Sequence, residues 1–201
     1  MLSLSKITML AFSALLIPGL ALADPYRVTI HTSKTKNSGT NSTIKVQFFG
    51  KKGNKRTKTP KYIVDPIGDS YENGQWDTDV LNIENLGRLY KMKLMSDGGG
   101  KKPGWLPKTI FVTNLKTGSR TDFGVNQWIG GKGDPRSLIL KPSNQHQYSK
   151  KELKKQVLSS RKALQRNKKK KGGSSFSYSK ALKYIKDTTD TINAVKDVYK
   201  P

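Results

Sequence analysis

The chain has 201 residues, no cysteine, and 38 lysines and arginines against 14 aspartates and glutamates, for a formal net charge of +24. The lack of cysteine excludes disulfide staples, thiolate catalysis and cysteine metal sites, so an ordinary apolar core must hold the fold. A balance this basic argues about partners rather than fold, and points to anionic ones.

The first 23 residues, MLSLSKITMLAFSALLIPGLALA, carry one cation (Lys6), an apolar run from Ile7 to Leu20, and Ala21-Leu22-Ala23. This is the pattern of a signal peptide with a cleavage site after Ala23, and its apolar run is shorter than the ~20 residues a membrane span needs. The expectation is an exported protein, secreted or periplasmic, whose mature chain begins at Asp24.

From Tyr26 to about Pro142 the pattern is period two. Tyr26, Val28 and Ile30 alternate with Arg27, Thr29 and His31; Ile44, Val46 and Phe48 with Lys45 and Gln47; Tyr90, Met92 and Leu94 with Lys91 and Lys93. One apolar and one polar face is what half-buried antiparallel strands require. Further strands are predicted at 61–64, 78–83, 109–114, 122–128 and 137–140. Turn-forming stretches such as GKKGNK, ENGQ, SDGGGKKPG, LKTGS and IGGKGDP separate them, so residues 24–142 are predicted to form an eight-stranded antiparallel β-sandwich.

Past Gln147 the period changes, and residues 143–201 read as a basic helical extension. One helix carries Leu153, Val157, Leu158 and Leu164; a second carries Tyr178, Leu182, Ile185, Thr189, Ile192 and Tyr199; KKKKGGSS links them. Neither is stable alone in water, so their apolar seams must meet each other, the sandwich, another chain or a membrane. From Lys141 onward there are 17 basic and 4 acidic residues.

Catalytic constellations are absent from the sequence. The two histidines, His31 on the polar side of a strand and His146 in a polar linker, flank no G-x-S-x-G or H-E-x-x-H. Gly98–Gly100 is followed by no G-K-[ST], and reads as a turn. Asp77 and Asp79 share one side of a strand, but nothing else marks them as an acid and base pair. The chain is expected not to be an enzyme.

Several motifs then fall in a telling order. Tyr26 to Thr32, Gly39-Thr40, Val46 and Gly50 resemble Y-x-V-x-V-x-T-G-D, A-G-T-D and V-x-L-x-G, the opening of the PLAT (lipoxygenase homology) domain. "ENLGRLYKMKLMSDGGGKKPGWLPKTIFVTN" resembles that family's L-G, alternating strand, Asp, glycine loop and Trp, and "TDFGVNQWIGG" its closing F-x-x-N-x-W. The resemblance spans roughly residues 26–140 and implies a noncatalytic sandwich that docks on membranes, lipid surfaces or partner proteins, in some members through calcium. It also implies that Trp105 and Trp128 are core positions.

Here the sequence departs from the family, since Lys34 and Asn41 stand where loop acids are common. Calcium seeks six to eight oxygens with several carboxylates, so Asn41, Asp77, Asp79 and Asp97 would make a weak site at best, with Lys34 beside it. Fixed cations offer another route to an anionic surface: Lys34 and Lys36, with Lys51, Lys52, Lys101 and Lys102 on other loops and Lys168, Lys169, Lys170 and Lys171 in the tail. Trp76 adds an aromatic suited to a membrane interface. The expected function is therefore docking on an anionic membrane or a protein partner. The alternatives are binding of a polyanion, nucleic acid or acidic glycan, and an effector-like role on a host protein; no cofactor and no small-molecule substrate are expected.

Overall fold

The structure, a computed structural model, describes residues 23–66 and 70–171, with side chains described through residue 160. The predicted signal peptide and second helix lie outside the described residues, as do the side chains of Lys168 to Lys171. Among the described residues ten strands are present: β1 (Asp24–Thr32), β2 (Ile44–Lys52), β3 (Lys55–Lys58), β4 (Tyr62–Ile63), β5 (Trp76–Ile83), β6 (Arg88–Ser96), β7 (Pro107–Asn114), β8 (Ser119–Gly124), β9 (Ser137–Leu140) and β10 (Asn144–Gln147), followed by helix α1 (Lys150–Lys171). They pair antiparallel into a first sheet, β10-β8-β7-β1-β5, and a second, β3-β2-β6-β9, with β4 also on β2.

The alternation read from the sequence builds the core directly. Tyr26, Val28 and Ile30 of β1 face Ile44, Val46 and Phe48 of β2 across one shared apolar layer, joined by Met92, Leu94, Ile110, Val112 and Phe123. The two strands beyond the expected eight are β3 (KRTK) and β10 (NQHQ), which have no apolar residue and so no period to betray them. They join by backbone pairing alone, β3 on β2 and β10 on β8. The sheet thus continues past Pro142, where the sequence reading ended it. The strand expected at 122–128 is instead β8, Ser119–Gly124.

At the end where β1 leads into β2, the layer is closed by Trp105. Its side chain is fully buried, its ring meets Tyr71 edge-on at 5.0 Å, and its indole N–H donates to Thr32 Oγ1 at 3.1 Å. Trp105 and Ile129 exchange backbone hydrogen bonds of 2.9 Å in both directions. Trp128, expected in the core beside it, is only half-buried, and Ile129 takes the interior place. Gly130 then turns with φ +87; a Cβ there would lie 2.4 Å from Ser96 Oγ, so no larger residue fits.

Asp77 and Asp79 point inward from β5, opposite Ile30 and Val28. Asp77 Oδ2 accepts the Tyr71 amide (2.9 Å), and Asp79 accepts those of Asp65 (3.1 Å) and Val80 (2.7 Å). Tyr71 sits at φ 64, a conformation costly for a non-glycine residue; the Asp77 carboxylate, the Trp105 ring and its own hydroxyl on Val64 O (2.7 Å) together hold it there. Burial raises the Asp79 carboxyl to about 6, against the two amides that lower it.

Helix α1 starts with a capping box. Ser149 Oγ accepts from the Glu152 amide (3.3 Å), and Glu152 Oε2 accepts from the Ser149 amide (2.9 Å). The helix then lies on the outer face of the first sheet. Arg27 of β1 donates to Gln156 Oε1 and to the Ser159 and Ser160 hydroxyls at 3.3 and 3.4 Å. Leu153, Val157 and Ser160 are buried there, and so is Val80, the cross-strand neighbour of Arg27. Of the predicted seam, Leu153 and Val157 therefore meet the sandwich, Leu158 is exposed, and the side chain of Leu164 lies outside the described ones. The stretch Lys168–Lys171, expected as a linker between helices, has helical backbone; lysine is a good helix former, and no glycine interrupts before Gly172.

Two outcomes follow from this packing. Trp105→Ala should destabilise the fold by about 3–5 kcal/mol in denaturant unfolding, because it opens a cavity and strands the Thr32 hydroxyl; a loss under ~1 kcal/mol would show the loop end does not rest on it. For Asp79 the folded pKa lies above the unfolded value, so its contribution is present below about pH 4 and lost as pH rises through about 6. An Asp79→Asn variant should accordingly gain on the wild type between pH 4 and pH 7, by at most about 3 kcal/mol. Parallel stability curves for the two proteins would contradict this assignment.

Candidate functional site

The loop end closed by Trp105 gathers the 33–43, 70–75, 97–106 and 125–136 segments. Backbone and side-chain bonds tie them into one unit. Thr40 Oγ1 and the Asn41 amide both donate to Lys102 O (2.8 and 3.1 Å), Ser42 Oγ to Gly99 O (2.9 Å), and the Gly74 amide to Ser33 O (2.7 Å). Arg136 donates to Asp97 O (3.0 Å) and Gly130 O (2.9 Å), binding the last loop to the others. The loops thus present a fixed surface.

Four predicted cations stand on this surface. Lys34, Lys36, Lys101 and Lys102 are all exposed, and only Lys102 has an acidic partner among the described residues, Glu72 at 3.9 Å. A pair this long and this open to water neutralises little. Lys51 and Lys52 do not join them; they sit at the far end of β2, with about seven residues of strand, roughly 23 Å, between. The sequence could not show this, because both lysine pairs fall in turns and only the direction of β2 separates them.

Trp76 opens β5 on the outer face of the first sheet, beside the loop end, and is 52 % exposed. Its ring lies flat on His31, centroids 4.2 Å apart and planes 2° from parallel, and stacks more loosely on Phe111 at 5.5 Å. Cross-strand pairing of Trp76 with His31 produces the contact. Burial foremost, then Lys108 and Lys34, lowers the His31 pKa, so the imidazole is neutral near pH 7 and serves as a flat support. The row continues: the Arg120 guanidinium lies 3.9 Å over Phe111 and is held by Asp122 (2.6 Å) and the Tyr148 hydroxyl (2.8 Å). His31, Phe111 and Arg120 were not anticipated as members of the site. Their signal was present in the period-two register, which puts residues 31 and 111 on the same outward face as Trp76.

The four oxygen donors considered for calcium are not brought together. Asp77 and Asp79 face the interior and are occupied by amides, and Asp97 Oδ1 accepts the Thr43 (3.0 Å) and Gly99 (2.9 Å) amides on another loop. A side-chain hydrogen bond from Thr43, then the two amides and nearby Lys45, lower the Asp97 pKa. Asn41 is exposed and bound through its backbone amide. Among the described residues no three acidic or histidine side chains converge as a metal cage would need. These donors do not fit a calcium ion.

The architecture has known counterparts. Coral 8R-lipoxygenase overlays with a TM-score of 0.51 over 70 % of this chain and 21 % of that one, at 22 % identity, which is a likeness of fold. In sequence, the mouse lipoxygenase homology domain-containing protein 1 is 28 % identical over 114 residues, 57 % of this chain and 5 % of that protein. The mouse polycystin family receptor for egg jelly is 28 % identical over 105 residues, again 5 % of its length. This chain therefore spans about a twentieth of these relatives. The PLAT/LH2 domain model matches residues 26–141, more than half of the chain. By that match, and by a sandwich whose strands and loop-end tryptophan stand where its motifs put them, the chain belongs to the PLAT/LH2 domain family.

Proposed function

We propose that this chain is an exported, noncatalytic PLAT module that docks on an anionic membrane surface through its loop end. The observation that carries this reading is Trp76, half-exposed and held on the His31 ring beside four exposed lysines. An aromatic ring with a polar N–H partitions to the head-group region, and there it needs no ordering, because the stack has already fixed its orientation. Each lysine near an anionic leaflet adds roughly 1 kcal/mol of attraction. In this reading, fixed cations on Lys34, Lys36, Lys101 and Lys102 do what a bridging metal does elsewhere. Lys168 to Lys171 on the tail contribute long-range attraction without setting the orientation.

The test is cosedimentation of the full chain with vesicles of phosphatidylcholine alone or with phosphatidylserine. Binding should require the anionic lipid, survive a calcium chelator, and weaken steeply as salt rises past the range where the screening length falls below about 10 Å. A K34S/K36S/K101S/K102S variant should lose roughly several hundredfold to a thousandfold in affinity. Loss of binding on chelation at constant ionic strength, or equal binding to the neutral vesicles, would overturn the reading.

A further inference from the structure

The two sheets carry very different charge. The strands of the first sheet hold three cations (Arg27, Lys108, Arg120) and four acids (Asp24, Asp77, Asp79, Asp122). The strands of the second hold nine cations, three each on β2, β3 and β6, and no acid at all. None of the nine forms an ion pair among the described residues.

The register sorts these cations by face. Core residues fix the inward positions, so Lys45, Lys51, Arg56, Lys58, Arg88, Lys91 and Lys93 all stand outward. At one level Arg56, Lys51 and Arg88 are direct cross-strand partners, three like charges in a row on strands about 4.8 Å apart. Like charges directly opposite destabilise a sheet, and a fold that keeps three of them with no acidic partner among the described residues has a use for the field they make.

The row ends in a cleft of about 540 Å³ lined by Lys51, Arg88, Tyr90, Pro142, Ser143 and Asn144, among others. Arg88 is oriented in it: its Nε donates to Gln145 Oε1, and the Gln145 amide in turn donates to Leu89 O and to Thr121 Oγ1 (3.2 Å). That buttress occupies one edge of the guanidinium and leaves its terminal nitrogens for a two-pronged bond to a carboxylate or sulfate. Tyr90, 37 % exposed, gives the cleft a wall that is apolar on the ring and polar at the hydroxyl; Asn144 and Ser143 at the lip are exposed hydrogen-bonding groups.

We infer that this outer face of the second sheet is a binding surface for a linear acidic polysaccharide. Its anionic groups would follow the row Arg56–Lys51–Arg88, and one sugar ring would enter the cleft against Tyr90. Repeated charge on an extended ligand matches a flat array of point charges, while a mixed apolar and hydroxyl-binding cleft matches a sugar. Single-stranded nucleic acid is a poorer match, because it is held by a row of free ring faces, and beside the single Tyr90 of the cleft the neighbouring Phe49 ring is covered by Lys91 Nζ at 4.1 Å. A membrane is poorer too, since the apolar side chains exposed on this face besides Tyr90, Ile63 and Ile139, are aliphatic and stand singly beside Lys45 and Lys93, with no tryptophan to seat at the head-group level. The surface is separate from the loop end and does not depend on the membrane reading.

The test measures affinity of the full chain for a heparin octasaccharide, a single-stranded oligonucleotide of equal charge, and phosphatidylserine vesicles. K51S/R88Q should weaken octasaccharide binding about tenfold or more, and so should K51S/R56S, which leaves the Arg88–Gln145 bond intact. Both should melt no lower than the wild type, because a like-charge row has been relieved. Tyr90→Ala should weaken the octasaccharide severalfold without changing the salt slope, and the charge-matched K101S/K102S should affect vesicles far more than the octasaccharide. Equal losses of octasaccharide binding in K51S/R88Q and K101S/K102S would mean diffuse charge and overturn the site. Oligonucleotide binding as tight and as sensitive to K51S/R88Q, or a loss confined to vesicles, would overturn the polysaccharide assignment.

Discussion

Much of the molecule depends on Trp105. It fills the gap where the two sheets part at the loop end, and its three ties, to Thr32, to Tyr71 and to Ile129, come from three separate connections. Fixing those connections fixes the loops that carry Lys34, Lys101 and Lys102, and fixes the end of β1 against which Trp76 pairs. The strained Tyr71 backbone and the inward carboxylate of Asp77 are parts of the same closure. Two acids in a chain with so few of them are thereby committed to holding amides. That commitment is why the loop end has the family's shape without a carboxylate cluster.

Charge is partitioned as strictly as shape. A near-neutral first sheet and a second sheet with cations alone give the sandwich one face where a basic helix can settle and one where it cannot. Helix α1 starts with Lys150, Lys151, Lys154 and Lys155 against a single Glu152, and it packs on the first sheet. Arg27, whose pKa burial lowers, has its two terminal nitrogens bonded there to hydroxyl and amide oxygens rather than to a carboxylate, while its buried Nε has no partner among the described residues. Packing the same helix on the second sheet would bring its lysines against seven outward cations with nothing between them. Among the described residues, the helix thus covers the first sheet and not the second.

The sequence made the core strands legible because Val28, Val46, Met92 and their neighbours obey a strict period of two. It hid β3 and β10, whose all-polar sequences pair by backbone alone, and the family resemblance put Trp128 in the core where Ile129 lies. For the site, the residue types were readable and their grouping was not. Lys34 and Lys51 look alike in a turn-rich sequence, yet stand at opposite ends of the sandwich. Lys45, Lys91 and Lys93 look like a solvated polar face strand by strand, and only the pairing of β2 with β3 and β6 reveals a face without acids. Signals carried by cross-strand neighbours are invisible until strand order is known.

If the loop end is what meets the membrane, depth is the quantity that decides it. Tryptophan emission of the full chain on phosphatidylserine vesicles containing lipids brominated along the acyl chain reads that depth, since Trp105 is buried and Trp128 half-buried while Trp76 is exposed. Quenching strongest for bromine near the head group, and abolished in a Trp76→Phe variant that still binds, is the result this account predicts. Bound protein whose emission no brominated lipid quenches, or whose quenching is unchanged without Trp76, would contradict it.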